Sequence, residues 1–146
     1  MPAPNAVASV INQLRSFVNG FRMPDGRDLR QLVQYVASGV SGLTARAGGL
    51  APNATPLPAY INRVSTVVTA ADSVLLPSAI AGASCIVINA GGASMRIFPN
   101  QNNQYTLSAD TITPVASSTP GAQLDLAVNG ATLLVCPSVG NWKQCF

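Results

Sequence analysis

The residue types that usually carry chemistry are scarce in this chain. Its 146 residues include no His and no Glu, one Lys (Lys143), one Trp (Trp142), five Asp and three Cys. Without His, neither a Ser-His-Asp nor a Cys-His nucleophile can be assembled, and the commonest neutral metal ligand is missing. Without Glu, paired-carboxylate chemistry would have to draw on two of Asp25, Asp28, Asp72, Asp110 and Asp125. Asp110 and Asp125 fall in or beside β-rich runs, where a turn or a solvated face is the ordinary use of Asp. Cys85, Cys136 and Cys145 are odd in number and lack metal-ligand spacing. They read as reduced thiols filling strand positions, with a Cys136–Cys145 bridge across a terminal hairpin as the alternative. Gly91-Gly92 follows a β-rich run, yet no helix or Lys follows to complete a phosphate cradle. Trp142 reads as a core or interface anchor. The expectation is a protein that is not an enzyme, with no catalytic residues, no metal and no cofactor.

Composition points the same way. Only 9% of residues are charged, against about a quarter in an ordinary soluble domain. Small residues replace the missing charges, which suits a rigid β-protein with much of its surface against other chains. The charge is also uneven. Residues 1–63 hold six Arg and two Asp, net +4, while 64–146 hold Arg96 and Lys143 against three Asp, net −1. No basic run exists and no aromatics interleave with the Arg residues, so nucleic acid is not an expected partner. No targeting segment and no apolar stretch long enough to span a bilayer is visible, so no membrane is expected either.

The elements that must position these residues fall into two patterns. Over 4–19, Val7, Val10, Ile11, Leu14, Phe17, Val18 and Phe21 recur at helical steps, and Gly20 stands where a helix ends. A second helix is expected over 26–38, with Leu29, Leu32, Val33 and Val36 on one face and Val40 and Leu43 extending the stripe beyond Gly39. Such a stripe needs a partner surface, since each large apolar side chain gains about 1.5–3 kcal/mol on full burial. The β-domain of the same chain and a symmetry mate are the two candidates.

From Gly48 the composition shifts to Gly48-Gly49, Pro52, Pro56 and Pro58, read as an extended linker. Short strands follow, expected at about 61–69, 74–76, 84–89, 94–98, 104–107, 111–116, 123–128, 131–136 and 141–145. Two turn signals stand out: Gly91-Gly92 between Cys85–Asn89 and Ser94–Phe98, and Asn129-Gly130 between Leu124–Val128 and Ala131–Cys136. Each predicts a β-hairpin. No internal repeat is visible. The expected fold is therefore α+β: a helical arm over 1–47, a linker over 48–60, and an antiparallel β-sandwich or jelly-roll-like domain over 61–146.

The β-part resembles a known module. Val74-Leu75-Leu76-Pro77, Gly82, Ser84 to Asn89, Ala90-Gly91, Met95-Arg96-Ile97-Phe98-Pro99 and the closing Gly140-Asn141-Trp142-Lys143, in that order, look like a β-module recurrent in virion proteins of tailed bacteriophages. Among these it is similar to capsid decoration (cement) and head-fibre proteins, over about residues 64–145. Many members carry a Gly-Asp-x-Ile-Asn-Gly-like turn after the Phe-Pro. Asn100-Gln101-Asn102-Asn103 stands there instead, so the role of that loop is not carried over.

The resemblance implies a non-enzymatic, oligomeric virion protein without fixing its place on the virion; the first expectation is a homotrimer or homodimer on the outer surface of the capsid with the major capsid protein as partner. The alternative it allows is a receptor- or glycan-binding module of a head fibre or tail, using Asn100–Asn103 and Tyr105 as a polar patch. Because Arg pairs with carboxylates in a bidentate way, the expected capsid or subunit interface is Arg15, Arg22, Arg27 and Arg30. Leu14, Phe17, Leu29 and Leu32 are expected to pack beneath them.

Overall fold

The first nine strands described alternate between two sheets. The computed structural model describes residues 38–117 and 119–146, and residues 38–146 form one compact unit. Across the larger sheet run β1 (Gly39–Thr44), β3 (Ile61–Thr66), β5 (Ser84–Asn89), β9 (Ala131–Ser138), β10 (Asn141–Gln144) and β7 (Thr111–Thr113), in that order. Across the smaller run β2 (Thr55–Pro56), β4 (Ser73–Leu75), β6 (Met95–Phe98) and β8 (Leu124–Leu126).

The first six strands wind as three stacked coils, each with one strand in each sheet. β1, β3 and β5 pair in parallel, with Gly39 beside Ile61 and Ile61 beside Ile86. β2, β4 and β6 do the same, with Thr55 beside Val74 and Val74 beside Ile97. This is a short β-solenoid. The register places Leu57-Pro58 of the first coil beside Leu76-Pro77 of the second. Leu57 and Leu76 are both buried. After the third coil the chain caps the stack: β8 runs antiparallel on β6 and β9 antiparallel on β5. β10 folds back on β9, and β7 joins it in parallel.

These pairings correct the expected fold class. Five of the eight strand pairings are parallel, so the domain is not an antiparallel sandwich. The α+β class is corrected too, because the described residues are all-β with only a 3₁₀ turn at Ala51–Asn53. The helical stripe does not continue through Val40 and Leu43, which lie in β1. Gly42 there has φ +80 and sits at a register shift, a backbone state that a helix cannot use and a bulge can. The rest of the two expected helices, 4–19 and 26–37, lies outside the described residues. The stretch expected as linker belongs to the same unit: Ala54, Leu57 and Ala59 are buried and Thr55–Pro56 is β2.

Both expected hairpins are instead corners between sheets. β5 and β6 belong to different sheets, and so do β8 and β9. A type I′ hairpin needs positive φ at both central residues. Neither Gly91 nor Gly92 has it, and of Asn129-Gly130 only Asn129 does, at φ 56. Gly91 serves close approach: a Cβ there would lie 2.5 Å from the backbone N of Val67, in the corresponding corner of the second coil. Gly92 N–H donates to the Val67 carbonyl at 2.9 Å, locking the two corners together. The strand expected over 104–107 is a turn.

Buried carboxamides secure the corners. Asn62 accepts from Ala59 N–H at 3.1 Å and donates to the Ala59 carbonyl at 2.6 Å. Asn89 donates to the carbonyls of Ala93, Leu126 and Ala127 and accepts from Gly91 N–H. Each holds backbone groups that a bend takes out of the ladder and that burial would otherwise orphan. Between the sheets lies one apolar core, with Val64, Val87, Leu134 and Trp142 from the larger sheet and Val74, Ile97 and Met95 from the smaller. Trp142 is fully buried and its indole N–H donates to the Pro77 carbonyl at 3.3 Å.

Candidate interaction surface

Two of the three described carboxylates are structural. Asp72 accepts from Val68 N–H (2.7 Å), Thr69 N–H (3.1 Å), the Thr69 hydroxyl (2.7 Å) and Gly48 N–H (3.3 Å). It thereby ties the first coil to the second. The Thr69 hydroxyl leads these donors in favouring the ionised form, against burial, and the Asp72 carboxyl is held at about 2. Asp110 accepts from Ala79 N–H at 2.7 Å and from the Asn103 amide at 2.6 Å. That fastens the loop 100–110 to the β4–β5 corner. Asp125 is exposed on β8, beside Arg96 of β6 in the ladder.

The thiols divide as their neighbours suggest. Cys85 and Cys136 are buried and Cys145 is exposed, and none of the three forms a disulfide. Burial pushes the Cys136 thiol up. Cys145 N–H bonds to the Leu133 carbonyl, which offsets it from Cys136 along the β9–β10 pair and rules out the alternative bridge in this structure. Among the described residues no three His, Cys, Asp or Glu gather as a metal site, no helix is long and apolar enough to cross a membrane, and every buried side-chain polar atom has a partner.

What the sheets do expose is an aliphatic face. Along β5, Cys85, Val87 and Asn89 are buried, while Ser84, Ile86 and Ile88 are half-buried on the opposite side. The register carries that outer side across the sheet. Ile61 lies beside Ile86, and Ile86 opposite Leu133. Arg63 lies beside Ile88, and Val135 between Ser84 and Lys143. Ile61 is 39% exposed, and Ile86, Ile88, Leu133 and Val135 stand outside the core cluster. Beyond Leu133 the row reaches a shallow groove of about 630 Å³, lined in part by Val115, Ser117, Lys143 and Cys145.

The two cations sit at opposite corners of this patch. Three strand spacings and four residues of rise put Arg63 and Lys143 roughly 20 Å apart. Among the described residues no Asp lies on this face: Asp72 and Asp110 are buried at corners and Asp125 belongs to the smaller sheet.

A second exposed feature is the loop 100–110. It presents Gln101, Asn102, Gln104, Tyr105 and Leu107, the last 83% exposed at φ 55. Asn103, expected as part of a polar patch here, is fully buried and serves as an internal brace to Ala79 and Asp110.

All eight residues expected at the interface (Leu14, Arg15, Phe17, Arg22, Arg27, Leu29, Arg30 and Leu32) lie outside the described residues. The aliphatic face was not anticipated. Its signal is present in Ile86-Val87-Ile88 and Leu133-Leu134-Val135, where apolar residues fail to alternate. Such runs belong to strands whose two sides are both apolar. Comparison with protein families, with curated proteins and with solved structures gives no match.

Proposed function

We propose that this chain is a non-enzymatic structural protein of a tailed-phage virion, a decoration protein that binds the outer surface of the head and cements neighbouring major capsid proteins. The observation that carries the reading is the outer face of the larger sheet. An aliphatic row runs across it from Ile61 to Leu133 on a scaffold whose own polar groups are already satisfied. An apolar face of this kind marks an interaction site, and a protein surface is the partner proposed for it. A stack of coils closed by β8 and β9 carries that face on paired strands rather than on loops, which limits the ordering cost of docking. The resemblance described above supplies the setting, and its residues form β4, β5, β6, β10 and the corners between them. Self-association as a homodimer or homotrimer is part of the same proposal.

One observation favours a second reading, a receptor- or glycan-binding module of a head fibre or tail. The loop 100–110 is braced from within and displays Tyr105 beside the carboxamide of Gln104, which donates to its hydroxyl at 2.8 Å. A phenol ring among carboxamides suits a sugar. Binding of full-length protein to purified heads that lack it separates the readings. Saturable binding with raised heat resistance of the heads is expected of a decoration protein, and binding to host cells but not to heads is expected of an adhesin.

A further inference from the structure

We infer that the attachment surface of the β-unit is the outer face of the larger sheet, and that it takes a protein surface with an apolar centre and a carboxylate rim. The inference rests on the decoration reading and names the contact that reading leaves open. Its geometry comes from register alone. Ile61, Ile86 and Leu133 form a row one strand apart, flanked by Ile88 on one side and Val135 on the other. Arg63 and Lys143 stand at diagonal corners, both exposed.

Charge chooses the occupant. A second copy laid on this face would bring two more cations and no Asp among the described residues, so like charges would gather at a desolvating contact without compensation. An acidic rim answers both corners at once, and the aliphatic row supplies the apolar centre that well-packed interfaces share. Arg63 also keeps its donors available, since its one hydrogen bond among the described residues is to the Ser65 hydroxyl at 3.0 Å. Exposed charges at the rim act mainly on association rate and salt dependence, so that is where their loss registers.

The test uses full-length protein and phage heads stripped of it. Arg63→Glu/Lys143→Glu alters exposed side chains only, so folding is retained and is checked by thermal melting. Its affinity for the heads is expected to fall at least tenfold at low salt, with the gap to wild type narrowing as salt screens the rim. Ile61→Asp, at the exposed end of the row, is expected to weaken binding by a similar factor with little salt dependence. A third variant reverses Arg15, Arg22, Arg27 and Arg30 together, the residues expected from the sequence at the contact, and is the competing arm. If the wild type binds and the first two variants bind equally well, or only the third fails, this inference is wrong while the decoration reading stands. If the wild type does not bind at all, both fall together.

Discussion

Replacing Gly91 by Ala tests the coil architecture through a single methyl group. A Cβ at Gly91 would lie 2.5 Å from both the backbone N and the Cβ of Val67, and 2.7 Å from its Cγ2. Contacts that short cannot be relieved by a rotamer change, because two of the three atoms move only with the backbone. The corners at 67–72 and 90–94 must separate by about 1 Å, which loosens the Gly92-to-Val67 hydrogen bond. Overpacking of this kind costs about 1–3 kcal/mol, and the strained hydrogen bond adds about 1 kcal/mol. For a unit of this size each kcal/mol lowers Tm by about 4–5 °C, so Gly91→Ala is expected to melt roughly 8–20 °C below wild type. Gly92→Ala is the internal control. Its nearest atom would be the Val67 carbonyl oxygen at 3.7 Å, an ordinary contact, and its Tm should stay within a few degrees. Differential scanning calorimetry on the full chain reads both. In a two-residue hairpin the two glycines would be comparably sensitive, so equal effects, or an inert Gly91→Ala, would refute the packing of coil on coil.

Other consequences follow from the buried groups. Asp72→Ala removes an acceptor for four donors and should cost about 2–4 kcal/mol in urea unfolding at neutral pH. Because the Asp72 carboxyl sits near 2 when folded, below its ordinary 3.8, its contribution is complete above about pH 4 and is lost as pH falls through 2. Asp72→Asn should flatten that acid limb, and an unchanged limb would contradict the clasp. Thiol labelling of native protein should modify Cys145 first and leave Cys85 and Cys136 slow until unfolding; early labelling of Cys85 would count against β5 as a core strand. Trp142, the only indole, should show blue-shifted emission resistant to acrylamide, and emission typical of water-exposed indole would contradict its burial.

The strands were more legible in the sequence than their partners. The expected strand bounds placed β3, β5, β6, β9 and β10 close to where they lie. Pairing failed because Gly-Gly and Asn-Gly serve two physical needs. Both permit tight local reversal, and Gly also permits close approach of a distant backbone. Only the neighbour, Val67 in the case of Gly91, decides which need is met. The coil repeat was hidden for a related reason. Solenoid stacking asks only that inward positions be apolar or self-satisfied, so Asn62 can lie beside Val87 and Val64 beside Asn89 without any residue recurring. Pro52, Pro56 and Pro58 read as linker because a Pro-rich stretch excludes a central strand. It does not exclude a sheet edge, and β2 is the edge of the smaller sheet. The candidate face was legible in principle from the unbroken aliphatic runs in β5 and β9, but their outward half looks like core until the sheets are assigned.

The most direct test of the central claim is the location of this chain in purified phage particles, by quantitative mass spectrometry together with electron cryo-microscopy of the head. We expect a stoichiometric, symmetry-related set of copies on the outer surface of the head, each with the Ile61–Ile86–Leu133 face turned toward the major capsid protein. Particles that lack the chain, or that carry it only at the tail or on fibre tips, would contradict the account.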